Sequence, residues 1–70
     1  MPTTARDALD VLSKAMKNDV DYAVAWYLNI RGFVAAEGVE DSVAENIAAR
    51  IMFGCFNADV DKIQDRIGKT

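Results

Sequence analysis

The chain predicts an all-α fold: a compact bundle of three to four short helices, a single helical domain over residues 1–70, assembled as a homo-oligomer. Two observations predict the helices. Apolar residues recur at three- and four-residue spacing along the chain, and no segment alternates with period two between hairpin turns. The third observation predicts the association. Seventy residues bury only roughly 60% of the surface of the unfolded chain, so cores of this size are commonly reinforced by disulfides, a structural metal or oligomerisation. Cys55 is the only cysteine and there is no histidine. That excludes a disulfide within the chain and a zinc ligand set, and leaves association.

In the first helix Ala5, Ala8, Leu9, Leu12, Ala15 and Met16 form the apolar stripe. Thr4 followed by Asp7 is a start signal, and Lys14 and Lys17 sit where the helix dipole favours cations. Arg6, Asp10, Ser13, Lys14 and Lys17 make up the wet side. Asn18 or Asp19 caps a second helix that runs to about Glu37, with Gly38 at the left-handed terminating position. Between Val20 and Ile30 this helix is nearly continuous apolar sequence and holds the only tryptophan and both tyrosines. Such a segment needs either a central position or a covering partner. Gly32 costs about 1 kcal/mol relative to alanine, which implies a closely packed neighbour there.

Asp41 or Ser42 starts the third helix, with Ser42 and Glu45 spaced as a capping box. Val43, Ile47, Ile51 and Cys55 form one inward stripe; Ala48, Met52 and Phe56 form another. Gly54 suggests close packing or fraying. Asn57 or Asp59 caps a short last helix with Val60, Ile63 and Ile67 inward, stopped by Gly68.

Composition narrows the function. Net charge is −3 with a pI near 4.6, so no basic field holds a phosphate backbone and direct nucleic-acid binding is not expected. The apolar run is shorter than the ~20 residues of a membrane span and is broken by Asp21 and Asn29. The opening Met1-Pro2-Thr3-Thr4-Ala5-Arg6-Asp7 has no apolar signal core, and a lone cysteine suits a reducing compartment. A cytoplasmic protein without membrane contact is the expectation.

Catalytic constellations are missing. Cys55 has no histidine to activate it and falls near a helix C-terminus, where the dipole disfavours a thiolate; it reads as a core thiol. Glu37, Glu40, Asp41 and Glu45 cluster at a turn without the loop pattern of a calcium site, and Asp59, Asp61 and Asp65 are ordinary surface acids. No glycine-rich phosphate loop exists. A non-enzymatic protein with no cofactor and no metal is expected.

The candidate binding residues lie in the two central helices. Tyr27 and Arg31 are four apart and share a helix face, and tyrosine and arginine are common interface anchors. Asn29, on the face of Tyr22, Trp26 and Phe33, needs hydrogen-bond partners if that face is covered, and a polar residue so placed can fix the register of a helix pair. Phe53 falls between the inward stripes and the polar side carrying Asn46 and Arg50. The expected binding set is therefore Tyr27, Arg31 and Phe53, with Trp26 and Asn29 holding the geometry.

The run Asp21-Tyr22-Ala23-Val24-Ala25-Trp26-Tyr27-Leu28-Asn29-Ile30 resembles a set of small phage and prophage proteins that carry Tyr-Ala-Trp-x-Trp-His-Cys-Asn-Ile in the corresponding helix. Glu37-Gly38-Val39 is similar to their acid-glycine turn. Ala48-Ala49-Arg50-Ile51-Met52, followed by Phe56 and Asp59, is similar to their Ala-Ala-Arg-x-Met…Phe…Asp stretch. The resemblance covers roughly Asp21 to Asp59. It departs where the tryptophan, histidine and cysteine would stand, at Val24, Tyr27 and Leu28, so no metal or acid-base role carries over.

The resemblance implies a phage-type origin and a compact helical fold. The functional expectation is then a small phage-type protein that docks on a host bacterial protein, such as a defence-system component, and modulates or inhibits it. The alternatives are an oligomeric sequestering protein for a nucleotide-type ligand, with Tyr27 stacking a base and Arg31 meeting a phosphate, and a self-assembling structural protein.

Overall fold

The computed structural model describes residues 4–69. Met1, Pro2 and Thr3, part of the opening stretch read for a leader, lie outside the described residues, as does Thr70. Four helices follow one another: α1 (Ala5–Asn18), α2 (Val20–Ala35), α3 (Asp41–Phe56) and α4 (Val60–Gly68). Among the described residues there is no strand.

Each helix begins for a local reason. The Asp7 N–H donates to Thr4 Oγ1 over 3.1 Å, which fixes the start of α1. Asp19 both ends α1 and starts α2, its carboxylate accepting from the N–H groups of Asp21 and Tyr22. Of the two caps expected for α2, Asp19 is the one used. Asp59 likewise caps α4 by accepting from the Lys62 N–H.

The third start differs from expectation. Helix α3 opens at Asp41 with Glu40 in the cap position and no side-chain cap bond. Ser42 and Glu45 therefore lie inside the helix, and the box they were expected to form is not made. Helix α2 ends at Ala35, two residues short of Glu37, because Gly38 takes a left-handed φ of +89° and its N–H closes a tight turn on the Ala35 carbonyl. Asn57 proves to be the left-handed C-cap of α3, at φ +51°, a conformation asparagine tolerates better than most residues.

Helices α2 and α3 each pack against all the others, and α2 does so most extensively, which makes it the central element. The core is small: Met16, Ala23, Tyr27, Ala48, Met52, Phe56, Ala58 and Ile63 cluster together, with Leu12, Val24, Trp26, Ile30, Ala49, Val60 and Ile67 packed around them. On α3 the buried stripe is Ala44, Ala48, Met52 and Phe56. The other expected stripe does not go inward: Val43 and Cys55 are exposed, and Ile47 and Ile51 are half-buried. Neither Gly32 nor Gly54 has a close neighbour, since a Cβ at either position would meet nothing within 4 Å. Their expected packing role inside the subunit is absent.

The outline is flat, 37 × 27 × 15 Å, with a radius of gyration of 12.4 Å. An ordinary domain of this length has about 11 Å. Flatness leaves large apolar groups uncovered: Phe33 is 77% exposed, Phe53 62% and Val11 55%.

Since a single carboxylate serves two N–H groups at the α1–α2 junction, Asp19→Ala should lower stability by about 1 kcal/mol while Asp19→Asn changes little. Urea unfolding followed by circular dichroism measures both.

Candidate functional surfaces

The expected binding residues separate into a buried pair and two exposed surfaces. Tyr27 is wholly enclosed, with 0% exposure. Its hydroxyl accepts from Gln64 Nε2 of α4 at 2.9 Å. The Arg31 guanidinium carbon stands 5.7 Å from the Tyr27 ring centroid, within the range of cation–π attraction, and Nη1 reaches Glu45 Oε1 of α3 at 3.9 Å. Tyr27 and Arg31 do share a face, as their spacing predicts, but it is the inward one. Tyr27 offers no ring face to a base or a partner, so its expected place in a binding surface is corrected to a core role. Arg31 is half-exposed and turned over that core.

Trp26 is half-buried. Its ring lies 5.1 Å from that of Phe56 and meets Tyr22 edge-on at 6.4 Å. Asn29 is exposed, so within the subunit the expected burial and hydrogen-bond demand do not arise. Together Tyr22, Ala25, Trp26, Asn29 and Phe33 line an open hollow of about 420 Å³ along the outer side of α2. Phe33 is the residue that the expected set lacked. The spacing could have found it: if Tyr27 faces the core, residues 22, 25, 26, 29, 32, 33 and 36 must face away from it.

Phe53 belongs to the second surface. It stands beside a shallow groove of about 450 Å³ lined by Ser42, Glu45, Asn46, Ala49, Arg50 and Gln64. The spacing of Phe53 leaves core packing and an exposed contact both open, with the core slightly favoured; the structure has it exposed, next to Asn46 and Arg50. The groove has an apolar anchor and a rim of both charge signs. Gln64, distant in sequence, joins it because its side chain is held by the Tyr27 hydroxyl.

Cys55 is exposed, not the core thiol expected from its apolar neighbours, because α3 rotates Met52 and Phe56 inward instead. Among the described residues no group of three or more His, Cys, Asp or Glu side chains comes together to hold a metal, and no helix is long and apolar enough to cross a membrane.

Compared with known proteins, the chain matches no family model, no curated sequence and no solved structure.

Two outcomes are expected. Tyr27→Phe should cost about 1 kcal/mol by removing the hydroxyl bonded to Gln64, whereas Tyr27→Ala should cost about 3–5 kcal/mol and unfold much of the population; thermal melts separate the two. Cys55 in the native protein should be alkylated to completion without unfolding, which mass spectrometry of a time course run without denaturant would show.

Proposed function

We propose that the chain is a non-enzymatic binding module that works as an assembly of identical copies and docks another protein in the Phe53 groove. One observation carries the reading: a large aromatic side chain, 62% exposed, stands beside a groove whose rim supplies Arg50, Glu45, Asn46 and Gln64. Aromatic and arginine side chains side by side are the composition of interface hot spots. A rim of both charge signs suits a partner that is itself mixed in charge, and the net charge of −3 argues against a nucleic acid.

The resemblance to small phage-type proteins supports a host bacterial protein as the partner, with modulation or inhibition of that protein in the host cytoplasm as the consequence. The nucleotide reading loses its base-stacking group, since Tyr27 is enclosed, and it gains no other support.

The test is capture from bacterial lysate with wild-type and Phe53→Ala proteins side by side, followed by titration of whichever protein only the wild type retains. Phe53→Ala should weaken binding by at least about 30-fold, the loss of a hot-spot anchor. Equal retention of the same protein by both forms would remove the groove from the interface.

A further inference from the structure

The outer side of α2 carries a pattern that an isolated subunit does not use. From Tyr22 to Ala36 the only charged residue is Arg31, and it is turned over Tyr27 and towards Glu45. Apart from Leu28, which is also exposed, the positions along this side read Tyr22, Ala25, Trp26, Asn29, Gly32, Phe33 and Ala36, the three- and four-residue spacing of a helix-packing seam. Asn29 is its midpoint. Positions equidistant from Asn29 pair a large residue with a small one each time: Tyr22 with Ala36, Trp26 with Gly32, and Phe33 with Ala25.

We infer that this face is the seat of a second copy of the chain, with the two α2 helices antiparallel about a twofold axis at Asn29. A twofold interface must be complementary to itself, and this seam is. Phe33 of one copy packs over Ala25 of the other, and Trp26 over the backbone at Gly32, where a Cβ would meet nothing in the subunit alone. Asn29 meets its own counterpart, and an amide can both donate to and accept from its twin. The hollow at the middle of this face has no charged lining, so like charges do not meet at the axis; the acids that the same register brings together, Asp21 and Glu37 of opposite copies, lie at its two ends. A foreign partner would have no need of that symmetry.

The face is open in the subunit: Phe33 is 77% exposed and Tyr22 37%, and Ala25, Asn29, Gly32 and Ala36 are exposed with them. The inference deepens the assembly part of the proposed function and leaves the Phe53 groove free for a different protein.

The experiment is sedimentation equilibrium on the full chain and on Asn29→Asp, Asn29→Lys and an equimolar mixture of the two. Wild type should have twice the monomer mass. Each charged variant alone should fall to the monomer mass with unchanged helical circular dichroism, position 29 being exposed in the subunit. The mixture should regain the dimer mass, because the two charges then attract across the axis.

Gly32→Leu, whose Cβ would meet nothing within 4 Å in the subunit, should also dissociate the pair while leaving the helical circular dichroism unchanged. A monomeric wild type at sub-millimolar concentration, a mass above the dimer, or a dimer untouched by these substitutions would overturn the assignment. Phe53→Ala should leave the mass unchanged while weakening partner capture, so failure of the groove reading and failure of the dimer reading give different results.

Discussion

A flat chain of four short helices has room for few large side chains at its centre, and Tyr27 occupies that centre. It is the largest residue with no exposure at all, and it touches the business of three helices. It belongs to α2, its hydroxyl is bonded from Gln64 on α4, and its ring lies beneath an arginine that reaches Glu45 on α3. A buried phenol without a partner would cost about 1–3 kcal/mol; here the hydroxyl is satisfied, and satisfying it fixes where α4 lies against α2. The Arg66–Asp21 ion pair, 2.8 Å between Nε and Oδ1, joins the same two helices, but it is largely exposed and adds little.

That single placement decides the rest of α2. A helix greasy on all sides can rotate about its axis at little hydrophobic cost, because every rotation buries something apolar. Polar satisfaction breaks the tie. Once Tyr27 points inward, Ala23 goes with it into the core, and Tyr22, Asn29 and Phe33 are left outside. The exposed aromatic face is thus the other side of the constraint that holds the subunit together, not an accident of loose packing.

The same reasoning explains which parts of the fold were legible in the sequence. Helices α1 and α4 have sharp contrast between wet and apolar sides, and their inward residues, Met16 and Ile63, were readable from spacing alone. The caps at Thr4, Asp19 and Asp59 were readable because side-chain capping is a local interaction. Helices α2 and α3 lack contrast. Their existence was plain, and the inward stripe of Ala48, Met52 and Phe56 was readable, but Val43 and Cys55 were assigned inward as well, and they are exposed. Ala44 completes the buried side of α3 at 0% exposure, a place that a scale of side-chain hydrophobicity does not register for so small a residue. Of the candidate site, Phe53 was only half legible, its place between the inward stripes and the polar side leaving core and surface both open, whereas Tyr27 was misplaced and Phe33 overlooked, since both depend on a hydrogen bond to a residue 37 positions away.

The two exposed aromatic surfaces differ in charge, and the two proposed occupants follow from that difference. Around Phe53 the rim holds Arg50 and Glu45; around Phe33 the lining is Tyr22, Ala25, Trp26 and Asn29, with no charge. Charge at a rim contributes more to choosing a partner and steering its approach than to affinity, and it repels surfaces of the wrong pattern. A surface that meets copies of itself has no such choice to make, because every copy is a correct partner; it needs shape, and one polar group to fix the register. On the proposed arrangement, charge beside one phenylalanine and none beside the other would keep the two surfaces from competing. A second copy that settled on the Phe53 groove would leave Arg50 and Glu45 to be desolvated against an identical rim, whereas on α2 it covers aromatic rings and one amide that its own twin can satisfy.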